Sequence, residues 1–122
     1  MKAWKIILTR INGKSLVIRF EIWLVSLAPT NGSENAKTGP CVIISPDSIN
    51  NNLNTVIIAP LTHSLKNYPT RINFVFNNQT SQIALDQIRT IDKKERLVKK
   101  IGELSKPVTV ALAQMLLELF EY

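Results

Sequence analysis

Arg71-Ile72-Asn73-Phe74-Val75-Phe76-Asn77-Asn78-Gln79-Thr80-Ser81-Gln82-Ile83-Ala84-Leu85-Asp86-Gln87-Ile88-Arg89-Thr90-Ile91-Asp92 is the run from which the architecture of this chain is read. Residues 71–76 alternate apolar and polar side chains as a half-buried strand does. Asn77-Asn78-Gln79-Thr80 supplies turn chemistry, and 82–89 resumes the strand, so the segment predicts an antiparallel hairpin. Its second arm continues into Leu85 to Asp92, which loads Asp86, Gln87, Arg89, Thr90 and Asp92 onto a run with apolar spacers. A core strand has no packing reason to carry five such groups, and each has to be solvated, paired or used. The run is therefore a candidate wall of a functional site.

Upstream of the hairpin the pattern stays mostly β. Residues 55–61 read as a buried strand and 41–44 as a short, nearly all-apolar one. Between them Ser45-Pro46-Asp47 has the order of an N-cap, a first-turn proline and a dipole-compatible acid, opening a brief helix to about residue 53. Residues 21–27 form another strand, with Ile22, Leu24 and Ser26 opposing Trp23, Val25 and Leu27, and 28–33 follow as a loop. Downstream, Asp92-Lys93-Lys94-Glu95-Arg96 is an exposed charged turn. Ser105-Lys106-Pro107 starts a helix on which Val108, Leu112, Met115, Leu116, Leu119 and Phe120 share one stripe. The fold class is mainly β with α, a small, strongly bent antiparallel sheet or SH3-like barrel closed by a C-terminal helix. Residues 1–19 scatter basic side chains around a weak strand at 6–8 and an Asn12-Gly13 turn. They read as an N-terminal extension or a loose edge strand, leaving 20–122 as the domain proper.

The 122 residues, 45% hydrophobic, suffice for one core without staples. The lone Cys41 has no internal disulfide partner, and one histidine with one cysteine does not make a zinc site without carboxylate help. Gly13, Gly32, Gly39 and Gly102 are too dispersed for a P-loop or a dinucleotide fingerprint. We expect no metal and no cofactor. The apolar run Ile6-Ile7-Leu8 is too short for a signal-peptide core or a membrane span, so the expected location is cytoplasmic, without a membrane partner. A net charge of +6 favours polyanionic partners, nucleic acid or an acidic protein tail. The basic cluster Arg89, Lys93, Lys94, Arg96, Lys99 and Lys100 is interrupted by Asp92 and Glu95, which leaves a binding face and a merely solvated face equally open. His63, between Thr62 and Ser64, invites a general-base reading for which the sequence offers no supporting geometry.

Glu21-Ile22-Trp23-Leu24-Val25 is followed in order by Pro29-Thr30, Gly32-Ser33-Glu34, Lys37-Thr38 and Pro40-Cys41-Val42-Ile43-Ile44-Ser45-Pro46-Asp47. Then come Thr55-Val56-Ile57-Ile58-Ala59-Pro60-Leu61-Thr62, Tyr68-Pro69-Thr70-Arg71, and 86–92 with Arg96-Leu97-Val98-Lys99-Lys100. Together, over about 21–120, these pieces resemble the MazF/PemK/Kid-type toxins, the ribonuclease halves of bacterial toxin-antitoxin pairs. The resemblance implies a small barrel of the MazF/Kid/CcdB kind, assembled as an isologous homodimer that binds single-stranded RNA or mRNA. It also implies metal-independent cleavage, in which the 2′-hydroxyl attacks the adjacent phosphate to leave a 2′,3′-cyclic phosphate and a free 5′-hydroxyl. In that family the chemistry is attributed to an arginine just before the proline of the second strand and a threonine ending an Ala-x-x-Thr stretch.

By this resemblance Thr62 is the catalytic threonine, and the arginine position holds Gly39. Losing one preorganised transition-state donor costs about 10² to 10³ in rate, and losing acid-base help costs about 10² to 10⁴. The resemblance therefore implies an attenuated endoribonuclease unless Lys37, His63 or Arg71 substitutes. It places Ser33, Glu34 and Lys37 of the 31–37 loop, with Asp86 and Gln87, along the RNA groove, Gln87 reading a base edge. On a structural reading Asp86 and Arg89 instead form a pair that fixes the sheet edge. Phe20 stands where relatives often carry glycine, and Ser33 where some carry histidine. The implied second partner is a cognate antitoxin whose acidic, partly disordered tail folds into the same groove. Two function classes follow, a sequence-selective endoribonuclease and a catalytically silent RNA- or antitoxin-binding module of the same family. A gyrase-poisoning relative of shared fold is less favoured, because the matched strings are those of the ribonuclease branch.

Overall fold

The computed structural model describes residues 17–27 and 37–122. Seven strands form one curled antiparallel sheet: β1 (Glu21–Ser26), β2 (Thr38–Ile43), β3 (Thr55–Thr62), β4 (Arg71–Phe76), β5 (Gln79–Ala84), β6 (Arg89–Asp92) and β7 (Leu97–Glu103). Two short helices, α1 (Asp47–Asn50) and α2 (Lys93–Arg96), sit in connections, and the long α3 (Lys106–Phe120) follows the last strand. The spatial order is β4-β5-β3-β2-β1-β7, with β6 also paired to β3. The expected mainly β fold with a bent sheet and a C-terminal helix is what forms.

β3 organises the sheet. One edge runs against β2 in the register Cys41↔Pro60, Val42↔Ala59, Ile43↔Ile58. The other edge is shared: Leu61 and Thr62 pair with Ile83 and Gln82 of β5, while Thr55 to Ile58 pair with Asp92 to Arg89 of β6. Between these partners the chain makes a 3₁₀ turn at Leu85–Gln87, so the single strand expected over 82–89 is corrected to two. The Leu85 N–H donates to the Thr70 carbonyl at 3.1 Å as the last bond in register with the β4–β5 hairpin, and the chain turns there with Leu85 buried. The break accommodates Pro60. The Ile44 N–H donates to Ile57 O, so alternate β3 residues Ile57 and Ala59 face β2, and Pro60, which has no N–H, faces the gap between β5 and β6. Pro40 likewise has no N–H to give Leu61, and the β2–β3 ladder stops at Cys41–Pro60.

Alternation gives the sheet two apolar faces. The inner core gathers Ile22, Val42, Ala59, Leu61, Ile72, Ile83 and Leu85 with Leu104 and Leu112, and the outer one Val25, Cys41, Ile43, Val56, Ile58 and Ile91 with Val17. β3 contributes to both, which is why its sequence reads as a continuous apolar run. The β4–β5 turn is tighter than expected. Asn77 and Asn78 have φ of 52° and 62°, the left-handed pair of a two-residue type I′ loop, so Gln79 and Thr80 already belong to β5. At the far edge, a Cβ on Gly102 would lie 3.0 Å from Phe76 Cε1. The Phe76 ring of β4 thus rests on the backbone of β7, and the two ends of the curled sheet meet there.

Other elements differ in detail. β7 was not foreseen as a strand, because its exposed Val98, Lys99 and Lys100 mask it; it pairs with β1 through two register shifts. The expected charged turn at 92–96 is α2, whose first turn is capped by the Asp92 carboxylate accepting from Glu95 N at 2.8 Å. α1 ends at Asn50, not near 53, and Pro46 rather than Ser45 occupies its N-cap position. Ser45 Oγ instead donates to Asn50 Oδ1 and accepts from Ile57 N at 3.0 Å. α3 begins after Ser105 as expected, but its stripe docks only through Val108, Leu112, Met115 and Leu116, leaving Leu119 and Phe120 exposed with Leu117. Phe20 holds a φ of 72°, a strained value for a residue with a Cβ, while packing on the inner core. Of the N-terminal stretch, Val17 is buried and Arg19 N donates to Asp47 Oδ1 at 2.8 Å. The expected loose extension otherwise falls on 1–16, outside the described residues. Among the described residues, no helix is long and apolar enough to cross a membrane.

Candidate functional site

Carrying the Cys41↔Pro60 register two residues further places Gly39 opposite Thr62, just past the last ladder pair. Both belong to the outer face, Gly39 by alternation with Cys41 and Ile43, Thr62 with Val56 and Ile58. Gly39 is not demanded by the backbone: its φ lies outside the left-handed region, and an added Cβ would meet only the tip of a side chain, Leu27 Cδ1, at 3.3 Å. Thr62 Oγ1 accepts from the Ser64 N–H at 3.0 Å. That bond occupies a lone pair and leaves the hydroxyl proton free to donate. The backbone bond and a free donor proton thus coexist on one hydroxyl.

Beside Thr62, across the β3–β5 pairing, stands the buried Gln82. Its amide is saturated: Oε1 accepts from Lys66 N and Arg71 Nη1, both at 3.0 Å, and Nε2 donates to Lys66 O at 2.9 Å and Asn73 Oδ1 at 2.8 Å. Arg71 continues the network. Its Nε donates to Asp86 Oδ1 at 2.7 Å, Nη2 to Asp86 Oδ2 at 3.3 Å and Nη1 to Ser64 O at 3.4 Å, and the guanidinium lies 5.0 Å from the Tyr68 ring centroid. Thr70 Oγ1 also donates to Asp86, at 3.0 Å. Hydrogen bonding from Arg71 is the main reason the Asp86 carboxyl is held down to about 2, and the same contact raises Arg71. The network clamps segment 63–70 beside Thr62, and it reaches Thr62 itself through Ser64.

This corrects the pairing of Asp86 with Arg89. The partner is Arg71, because Arg71 stands opposite Ala84 in the hairpin and the 3₁₀ turn brings Asp86 back beside it. Arg89 instead lies opposite Ile58 on the outer face, exposed, with its charge reaching Cys41. Burial pushes the Cys41 thiol up to about 12, and Arg89 offsets a smaller part of that rise.

Of the other sequence-chosen residues, Lys37 is exposed two positions before Gly39, and Gln87 is exposed beside Asp86. Ser33 and Glu34 lie outside the described residues. Among the three possible substitutes for an arginine at position 39, Arg71 is fully engaged. His63 follows Thr62 and by alternation belongs to the inner side, where its Nδ1 is 3.2 Å from Ser81 Oγ and 3.4 Å from Thr80 O. Gln82 escaped the sequence reading; the signal available was an amide in the otherwise well-buried run 81–85. Among the described residues, no three His, Cys, Asp or Glu side chains are grouped to hold a metal ion.

The family profile described as PemK-like, MazF-like toxin of type II toxin-antitoxin system matches residues 18–120. The chain is 36% identical over 97 residues to Endoribonuclease MazF of Staphylococcus epidermidis, covering 75% of this chain and 80% of that protein. It is 34% identical over 101 residues to Endoribonuclease PemK of Escherichia coli, covering 78% and 75% respectively. Its fold is shared with a mycobacterial endoribonuclease solved in complex with its cognate antitoxin, at a TM-score of 0.69 and 21% identity, over 84% of this chain and 92% of that one.

Proposed function

The chain belongs to the PemK-like, MazF-like toxins of type II toxin-antitoxin systems, and from that premise we propose that it is an attenuated endoribonuclease acting on single-stranded RNA. The observation that carries this reading is the opposition of Gly39 and a Thr62 whose hydroxyl proton is free. In the reaction the RNA 2′-oxygen forms a bond to the adjacent phosphorus while the bond from phosphorus to the 5′-oxygen breaks. The 2′-hydroxyl loses its proton, the 5′-oxygen gains one, and a 2′,3′-cyclic phosphate remains. Thr62 donates its hydroxyl proton as a hydrogen bond to a non-bridging oxygen, where charge grows in the transition state. Among the described residues, no guanidinium stands opposite it at position 39 to neutralise that charge or move protons.

Gly39→Arg tests the reading. The open backbone and the flexible Leu27 tip admit the side chain, so the variant is expected to fold and to cleave single-stranded RNA about 10² to 10⁴ faster. Equal, strong cleavage by both proteins would overturn the attenuation. The engagement of Arg71 and the inner placement of His63 favour, as a second reading, a module that binds RNA or antitoxin without cutting. No cleavage by either protein would select it.

Gln87, exposed beside Asp86, is suited to read a base edge, and the exposed Lys37 to meet the RNA backbone, while Ser33 and Glu34 are assigned to RNA contact by the family resemblance alone. Asp86 shapes that edge through its hold on Arg71. The second partner is an antitoxin with an acidic tail, in keeping with the net charge of +6. The exposed apolar end of α3, Leu117 and Phe120, supports assembly as a homodimer, and the toxin family is the support for a cytoplasmic location.

A further inference from the structure

The inner mouth of the curled sheet holds a cleft of about 170 Å³ that the cutting chemistry does not use. Leu24, Pro40, Leu61 and the aromatic Phe76 line it with apolar surface, and His63 and Ser81, together with Asn77 and Gln79, supply polar groups. Ser81 is buried, and its hydroxyl stands 3.2 Å from His63 Nδ1, so the imidazole is held from behind while its Nε2 has no partner among the described residues. Sites for whole small-molecule ligands usually measure about 300 to 1,000 Å³. A space this small excludes a nucleotide with its sugar and phosphate but suits one flat heterocycle. An apolar lining with an aromatic ring and a few hydrogen-bonding groups is how proteins hold an unstacked base.

The placement matters as much as the shape. Pro40 and His63 are the residues immediately after Gly39 and Thr62. Successive strand residues point to opposite faces, so the cleft opens on the other side of the same sheet margin. An RNA strand with its scissile phosphate at Thr62 has only to cross that margin for a neighbouring base to drop inside.

We propose that this cleft is a base-binding subsite, which takes one nucleobase of single-stranded RNA flanking the scissile phosphate. The inference rests on the ribonuclease reading, and it assigns His63 to substrate positioning instead of proton transfer. Weak cleavage by the chain is an advantage for testing it, because bound RNA survives the measurement.

Single-stranded RNA octamers carrying 4-thiouridine at each position in turn are irradiated with the full chain, and the crosslinked peptides are mapped. One RNA position is expected to crosslink to the segment of Phe76 and Ser81 or to that of His63. Leu24→Phe, which enlarges a lining side chain, and His63→Ala, at an exposed position, are each expected to weaken octamer binding roughly tenfold, the size of one lost base contact. Should Leu24→Phe fail to fold, as judged by its circular dichroism melt, His63→Ala carries the comparison. RNA that binds but crosslinks only outside the cleft, or affinity unchanged in the folded variants, overturns the subsite and leaves the ribonuclease reading standing. Failure of any octamer to bind the full chain overturns both.

Discussion

Cys41 and Asp86 set opposite pH limits on this protein. The buried Cys41 thiol titrates near 12 against an ordinary value of 9.0, so an unfolded chain releases a proton that the folded one keeps. Its contribution is complete below about 9 and is lost as pH rises toward about 12. Cys41→Ala is expected to flatten that alkaline fall in chemical-denaturation curves, and the native thiol to resist a disulfide reagent that labels the unfolded chain at once. Asp86 works the other way. Its folded value of about 2 lies below the ordinary 3.8, so its contribution is complete above about 4 and disappears as pH falls through 2. Asp86→Asn should lower the melting temperature at pH 7 and remove this part of the acid limb, leaving Arg71 without its ion pair. At this scale the sequence was legible in part. Thr62 and position 39 stood out by collinearity, but their opposition depends on a register that no local pattern encodes. The partner of Asp86 was hidden by the turn at Leu85–Gln87, and Gln82 by its strand, where an amide reads as solvent-facing.

Among the elements, β7 shows what alternation misses. The strand is legible only through its neighbours, since Lys99 and Lys100 sit on an edge where charge is tolerated and β1 supplies all its pairing among the described residues. The hairpin of β4 and β5 was legible because each arm alternates and two asparagines tolerate left-handed backbone; its turn was overestimated only because Gln79 and Thr80 are polar as well as extended. Gly102 is the tightest point in this part of the fold. With a Cβ 3.0 Å from Phe76 Cε1, Gly102→Ala is expected to cost about 1 to 3 kcal/mol in a urea titration, unless the ring swings aside. A shared melting point for wild type and variant would show that Phe76 is loosely held.

Over the molecule as a whole, the charge of +6 is spread across several elements. Binding to single-stranded RNA should therefore weaken steeply with salt, each neutralised phosphate adding about −0.7 to the slope of log K against log salt concentration. Fluorescence anisotropy of a labelled octamer from 50 to 200 mM salt, roughly the range over which such contacts are lost, checks this; a flat line would mean the charge is unused. The overall class was readable from the pattern of strands and the capped final helix, because apolar periodicity reports burial. The curl was not, because it depends on β3 trading one neighbour for another along the same edge. That curl has a consequence for the protein's company. Open sheets aggregate by adding neighbours to their terminal strands, and here the terminal strands β4 and β7 meet through the Phe76 ring on Gly102. The contact thereby hinders the chain from stacking onto its own copies, so a mutation that opens it would show first as turbidity on storage.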